Sequence, residues 1–232
     1  MNQDNNQHLF YKDYYDLQDD PKFPCVTNAK VYNLSSSIIG AKYPMSVDPS
    51  VLTDELTKGI ESLWSSQKGE GHDQSLTGVI VSFDLTFTIK AWTEAERYHF
   101  LDFVSSQSTM HRLARFDYNS CYSEYVDPRT IDVMKDLLAK YKSLPDGTEE
   151  KKEAYLKLLY SNPCGMKLTA KMVTNYRQLK TIYNQRKNHR LPEWREFCKW
   201  IETYLPCIEY SLKKEYEEAI KENKAAQKEE LK

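Results

Sequence analysis

Asn175-Tyr-Arg-Gln-Leu-Lys-Thr-Ile-Tyr-Asn-Gln-Arg186 is the stretch that decides the fold, and it continues through Lys-Asn-His189-Arg190-Leu-Pro-Glu-Trp194. On a helix of 3.6 residues per turn, one face carries Asn175, Leu179, Ile182, Tyr183 and Arg186. This apolar stripe ends in a guanidinium, which stays charged and therefore needs an anion or a planar hydrogen-bonding partner. Two interpretations stay open: Arg186 reaches solvent or the last helical carbonyls, or it serves a binding site.

The charge of the chain is unevenly distributed. The 232 residues carry a net charge of −2 and are 40% hydrophobic, which predicts a globular protein of one large domain or two small ones. Residues 167–199 hold nine Lys or Arg against two Glu, whereas the first twenty-four residues hold five Asp against two Lys. One basic face is therefore expected on a nearly neutral protein.

Cysteine spacing and hydropathy exclude several classes. The five cysteines include no C-x-x-C pair, so a zinc site or redox pair is not expected, and we predict free thiols in a reducing compartment. Scattered histidines give no metal-ligand spacing, and we predict no metal site. No apolar run approaches a membrane span and the first residues lack the basic start of a signal peptide, so we expect a soluble, cytoplasmic protein without membrane partners.

Periodicity predicts the main elements. Alternation of apolar with mostly polar residues over 79–89 predicts a long strand with one buried face, and a shorter strand is expected over 29–34. Helices are predicted from Asp48 to about Ser66, over 91–104, from Asp127 to about Tyr141, after Thr148, and from Pro192. Residues 109–116 are expected to be extended. Residues 1–27 read as an N-terminal arm, 28–206 as the catalytic domain and 207–232 as a charged helix or tail.

The stretch 175–194 resembles one known family, the flavin-dependent (alternative) thymidylate synthases. The resemblance is densest at Asn175-x-Arg177-x-Leu179-x(4)-Asn184-x-Arg186, followed by Glu193-Trp194-x-Glu196. It extends more weakly upstream, where Gly71-His72 precedes the long alternating strand. The family signature Arg-His-Arg-x-x-Ser-x-Asn-Glu-x-Ser-x-Arg-Tyr is altered here. Arg97-Tyr98-His99-Phe100 is followed by a Ser-rich segment up to Arg112, Ser108 stands where the Glu should be, and Leu159 replaces a second phosphate-binding Arg.

The resemblance implies an α/β (α+β) fold with a central, mostly antiparallel sheet and flanking helices. It implies that FAD is the cofactor, that methylenetetrahydrofolate and NADPH are co-substrates, and that dUMP or a related pyrimidine nucleotide is methylated by a homotetramer. Arg186 would be catalytic and would contact the pyrimidine. Substrate would also be bound by Arg112, Ser108 and Arg177. The flavin contacts would come from His72, Arg97, His99, Gln107, Asn175 and Thr181.

Several of these residues have a simpler interpretation. Arg177 can be a solvent-facing helix residue, His72 can bond its own loop, and the serines near Ser108 can form a helix terminus. Two other functions also stay open. The altered signature is compatible with a non-catalytic descendant that binds a nucleotide or a protein partner. The basic, Tyr-containing segment 167–199 suits single-stranded nucleic acid, although the slightly acidic chain makes that less expected.

Overall fold

The computed structural model describes residues 12–66 and 70–212. Most of the predicted charged tail, and the first part of the predicted N-terminal arm, therefore lie outside the described residues. Five strands form one sheet in the order β1-β2-β3-β5-β4. The strands are β1 (Tyr14–Asp16), β2 (Val26–Tyr32), β3 (Ile80–Thr88), β4 (Asp102–Ser106) and β5 (Lys167–Asn175).

Strand pairing in the sheet is antiparallel. β1 runs against β2 with Tyr14 opposite Tyr32. At the start of β3 the amide of Tyr176 donates to Val79 O at 3.0 Å, and at its end the amide of Ile89 donates to Met166 O at 2.9 Å. Since low numbers on one strand meet high numbers on the other, β3 and β5 are antiparallel. The predicted mixed fold with a mostly antiparallel sheet is confirmed.

Eight α-helices accompany the sheet in the described chain. They are α1 (Leu34–Ala41), α2 (Lys58–Trp64), α3 (Ile89–Ala95), α4 (Thr109–Arg112), α5 (Pro128–Ser143), α6 (Glu149–Ser161), α7 (Tyr176–Arg186) and α8 (Pro192–Tyr204). Short 3-10 turns occupy Tyr43–Met45, Pro49–Val51, Gln74–Thr77 and Leu113–Arg115. Thr148 caps α6 through its side chain, and Pro192 opens α8, as the sequence predicted. No helix among the described residues has the length and apolar character needed to cross a membrane.

The chain divides into two compact units. The first comprises the chain up to Phe83 and from Val173 onward, and the second is Asp84–Met172. In the first unit the Phe83 ring lies 5.5 Å from Phe197 between ring centroids, within a core that also buries Trp64, Tyr176 and Trp194. In the second unit α5 and α6 cover a core of Leu113, Tyr118, Tyr122, Met134, Leu158 and Met166.

The predicted strand over 79–89 is confirmed as β3, because Val81, Phe83, Leu85 and Phe87 on its inner face are fully buried. The single helix predicted from Asp48 to Ser66 is wrong. Asp48 caps only the turn Pro49–Val51, and the helix begins again after Thr57. Between them, the buried Asp54 carboxylate accepts from Ser35 Oγ at 2.7 Å and Thr53 O accepts from Lys42 Nζ at 2.6 Å. These long-range bonds favour an extended path over a helix.

The helix predicted over 91–104 is also wrong, since it ends at Ala95 and β4 begins at Asp102. Phe100 adopts a left-handed φ of 64°, which no helix contains. The Trp92 and Phe103 rings lie 4.9 Å apart, and Trp92 Nε1 donates to Leu168 O at 3.0 Å. Residues 109–116, predicted to be extended, instead form α4 and a 3-10 turn. Ser108 Oγ caps α4, and Leu113 is fully buried.

Candidate functional site

Asn175 joins β5 to α7. Its backbone is extended, and its Oδ1 accepts from the amide of Gln178 at 2.9 Å, which caps the helix. Six residues further on, Thr181 Oγ1 donates to Arg177 O at 3.1 Å, so its hydroxyl proton is used within the helix. The predicted flavin contacts Asn175 and Thr181 and the predicted substrate contact Arg177 therefore lie together in the first half of α7. The side-chain nitrogen Nδ2 of Asn175 makes no hydrogen bond among the described residues.

Arg177 is held by the segment that precedes β3. Its Nε lies 2.9 Å from Asp73 Oδ1 in an ion pair whose angles are not those of a hydrogen bond, and its Nη1 donates to Gln74 Oε1 at 2.9 Å. About a third of the side chain is exposed, against 4% for Asp73. The solvent-facing interpretation of Arg177 is therefore incomplete, because two partners hold its guanidinium in place.

Lys180 is a buried cation on the same helix. Its Nζ donates to Trp64 O at 3.0 Å, to Ser66 O at 2.5 Å and to Asp73 Oδ2 at 3.2 Å. All three ammonium protons thus have an oxygen partner, which is what a buried charge requires. Lys180 joins α7 to the end of α2 and to the segment before β3.

Arg186 ends α7 over an aromatic ring. Its Cζ lies 5.0 Å from the ring centroid of Trp194, which is fully buried. A guanidinium stacked on an indole gains cation–π attraction and loses rotational freedom. Nearby, burial raises the pKa of the Cys198 thiol to about 12, while the positive charge of Arg186 acts in the opposite direction. Arg186 is half-buried, with its guanidinium over the Trp194 ring.

His72 lies in an exposed loop of the first unit. It follows Gly71, whose φ of 78° is a conformation that favours glycine. The next residue is the buried Asp73, so the loop is fixed by the carboxylate that holds Arg177 and Lys180. The predicted flavin contact His72 therefore lies at the same segment as the α7 cluster.

The second unit holds the other predicted residues. Gln107 is exposed, and its amide and Oε1 pair with Thr169 O and Thr169 N at 3.0 and 2.9 Å, which extends the pairing beyond β4. Ser108 Oγ accepts from the His111 amide at 3.3 Å as the cap of α4, so the helix-terminus interpretation of this serine is confirmed. Arg112, at the end of α4, is exposed. Gln107 Oε1 and Ser108 Oγ, which belong to two residues predicted to contact ligands, thus accept hydrogen bonds from backbone amides.

Arg97 and His99 follow α3 and are both exposed. His99 lines a shallow hollow of about 600 Å³ formed by residues 96 and 98–103. The exposed Phe100, with its left-handed φ, contributes to the same hollow. A non-glycine residue in this conformation is costly and is concentrated at binding sites in known proteins. These residues lie within one segment of the second unit.

Sequence reasoning missed Asp73, Lys180 and the role of Trp194. The Gly-rich loop ending at Asp73 was visible in sequence, but nothing local showed that its carboxylate would be buried. Lys180 stands between Leu179 and Ile182 on the buried side of α7, and a cation within an apolar stripe is the one signal that could have found it. Within the described residues no group of His, Cys, Asp and Glu side chains is arranged to hold a metal ion.

The fold is shared with solved structures of one class of protein. The chain has the fold of the flavin-dependent thymidylate synthases, with the motif that resembles theirs on α7. The ThyX enzyme from Helicobacter pylori, solved with FAD and dUMP, is similar with a TM-score of 0.59 and 15% identity, covering 80% of this chain and 95% of that one. The UMP/dUMP methylase PolB from Streptomyces cacaoi, bound with 5-Br dUMP, is similar with a TM-score of 0.51 and 16% identity, over 77% of this chain and 87% of that one.

Sequence comparison alone finds no relative: no protein-family model and no curated protein matches the chain. The likeness is therefore one of structure. At 15–16% identity it shows the fold, and the predicted resemblance to this family is confirmed at that level.

Proposed function

We propose that this protein binds a pyrimidine nucleotide of the dUMP type together with FAD and methylates the pyrimidine ring. The observation that carries the proposal is α7, where Asn175, Arg177 and Arg186 of the family-like motif are each placed by a side-chain contact within the family fold. Methylenetetrahydrofolate would donate the carbon, with NADPH as a further co-substrate. We assign this function to residues 28–206 of a cytoplasmic homotetramer.

The donor and acceptor groups of the first unit fit such ligands. Arg177 Nη2 makes no hydrogen bond among the described residues, so its two N–H groups remain available to a phosphate. The side-chain oxygen Oδ1 of Asn184, two residues before the end of α7, is buried and accepts no hydrogen bond from the described residues. An N–H of a pyrimidine ring would satisfy this buried acceptor.

Each residue has a distinct task in the proposed reaction. Arg186 would bond the pyrimidine carbonyl and stabilise negative charge as it develops on the ring. Arg112 and Arg177 would bind phosphate, with Ser108 beside Arg112. His72, Arg97, His99, Gln107, Asn175 and Thr181 would contact the flavin; Gln107 would use its amide nitrogen, since Thr169 occupies its oxygen. Reduced FAD, when bound, supplies the hydride.

A second candidate function is nucleotide binding without catalysis. It is favoured by Ser108, which stands where the family signature has Glu and whose oxygen caps α4. A hydroxyl in that role cannot replace a carboxylate that accepts from a ligand. Both candidate functions use the same binding residues, and only the first includes conversion of the bound nucleotide.

The visible spectrum of the purified protein tests the proposal. We expect flavin absorbance that survives gel filtration after FAD is added, that Arg186→Ala or Gln107→Ala weakens, and that Arg129→Ala leaves unchanged. Arg129 is a fitting control because it is an exposed arginine paired with Asp127 in the second unit. An assay for methylation of dUMP with methylenetetrahydrofolate and NADPH would then separate the two candidates. A colourless protein that does not bind added FAD would contradict the proposed FAD-dependent methylation.

A further inference from the structure

Asp73 is a buried carboxylate that contacts two cations on α7. The side chains of Asp73 and Lys180 are each 4% exposed, whereas that of Arg177 is 32% exposed. The carboxylate therefore connects a cation inside the first unit to one that reaches the surface. Its position directly after the exposed His72 places this connection at the loop that the proposed function assigns to ligand binding.

The charges of the three groups leave a positive surplus. Asp73 contributes one negative charge, and Arg177 and Lys180 contribute one positive charge each. An arginine paired with a carboxylate alone would form a neutral pair that attracts an anion only weakly. Because Lys180 offsets Asp73 from the buried side, the exposed edge of Arg177 retains an uncompensated charge.

The contacts of Arg177 also fix the plane of its guanidinium. Nε lies 2.9 Å from Asp73 Oδ1 in an ion pair, and Nη1 donates to Gln74 Oε1 at 2.9 Å. The fork of the guanidinium is rigid, so fixing two of its nitrogens fixes the third. A donor that is oriented before the ligand arrives loses less entropy on binding.

We propose that Asp73 is a positioning residue that orients Arg177 for a phosphate group, and that Lys180 keeps the charge of Arg177 available to that phosphate. This inference rests on the proposed function. The phosphate belongs either to the nucleotide or to FAD, and the shared chemistry is a phosphate oxygen that accepts from Nη2.

Isothermal titration calorimetry with dUMP and with FAD, each added separately, tests the proposal. Four forms are compared: the wild type, Asp73→Asn/Lys180→Met, Arg177→Ala and the triple variant. The double variant removes one charge of each sign and so leaves the net charge unchanged. We expect it to weaken binding of the ligand whose phosphate Arg177 contacts by about tenfold, as for a lost oriented charged contact. In the Arg177→Ala background the same pair of changes should have no further effect.

Lys180→Met alone separates charge from orientation. Here Asp73 still holds Arg177, but the pair is neutral, so we expect weaker binding with a smaller dependence on salt concentration. Asp127→Asn is the matched control, because it breaks an exposed aspartate–arginine pair with a 2.7 Å contact that has no part in the cluster. Circular dichroism confirms that each variant is folded before titration.

If the double variant does not fold, Gln74→Ala replaces it, since this exposed side chain contributes only the Nη1 contact. We then expect a severalfold loss of affinity that is again absent in the Arg177→Ala background. Equal losses in both backgrounds, or unchanged affinity in a folded variant, overturn the positioning role. A wild type that binds neither dUMP nor FAD overturns the proposed function itself, and this inference with it.

Discussion

The guanidinium of Arg186 lies over the buried indole of Trp194, with 5.0 Å between Cζ and the ring centroid. The two residues come from different helices, α7 and α8, joined by a tight connection in which Arg195 Nη1 donates to His189 O and Arg190 O at 2.6 and 2.7 Å. The ring therefore presents a fixed face to the end of α7. A cation held in this way has one flat side covered by the indole and gains cation–π attraction from it.

Arg186→Lys should weaken dUMP binding nearly as much as Arg186→Ala does. An ammonium keeps the charge but cannot stack on the Trp194 ring as a plane or bond the pyrimidine with two donors, so we expect losses of about tenfold or more for both variants. Fluorescence or calorimetric titration with dUMP measures this. Arg129→Lys, in an exposed pair with Asp127, is the control. Full binding by Arg186→Lys would show that charge alone matters there.

Lys180→Met should destabilise the protein by about 3 kcal/mol, the range for breaking a buried ion pair. It removes the donor of Trp64 O and Ser66 O and leaves Asp73 with Arg177 alone. Urea unfolding followed by circular dichroism gives the change in the free energy of unfolding.

Lys157→Met is the matched control for Lys180→Met. Lys157 pairs with Glu153 at 2.7 Å, but both side chains are more than half exposed, so no measurable loss of stability is expected. Equal stability of the two variants would contradict the structural role of Lys180.

Asn175→Ser and Asn175→Ala should separate helix capping from ligand binding. Serine can still accept from the Gln178 amide, so stability should be retained, whereas alanine should cost about 1 kcal/mol. Both variants lack the side-chain nitrogen Nδ2 of Asn175 and should bind FAD more weakly. Thr148→Ala, which removes the cap of α6, should lose similar stability without any change in FAD binding. Loss of FAD affinity in Asn175→Ala alone would assign Asn175 to capping only.

Thiol reactivity should follow burial. Burial raises the pKa of Cys121 to about 11 and that of Cys198 to about 12, and it raises the pKa of Cys25 further. The reactive thiolate is therefore scarce at these sites at neutral pH, and the exposed Cys164 should react first. Labelling followed by mass spectrometry orders the sites, with Cys164→Ser as the control. Faster labelling of Cys198 than of Cys164 would contradict the packing of α8.

The same thiols predict how stability depends on pH. A raised pKa in the folded state means that the unfolded chain ionises first, near the ordinary value of 9.0. The stabilising contribution of these buried thiols is complete below that pH and is lost as the pH rises toward about 12. Urea unfolding on both sides of pH 9.0 should show the decline, and a smaller decline is expected for Cys198→Ala. A protein whose stability rises over this range would contradict the burial of these groups.

Local sequence determined the elements whose pattern is strong. The alternation of 79–89 predicts β3, and the amphipathic run that begins at Asn175 predicts α7, because strand pleat and helical turn each impose their own period on neighbouring residues. The motif on α7 likewise indicated the fold family. These features need no information from distant parts of the chain.

Tertiary structure decided the rest. Residues 91–104 have apolar side chains at near-helical spacing, yet the helix ends at Ala95 and β4 begins at Asp102. Trp92 packs against Phe103 on this strand and donates to Leu168 O, and these contacts favour the strand over a continued helix. Lys180 and Asp73 are 107 residues apart, and only the packing of α7 on the segment before β3 buries them together. Burial of a charge depends on which distant groups compensate it, and periodicity along the chain carries no information about those groups.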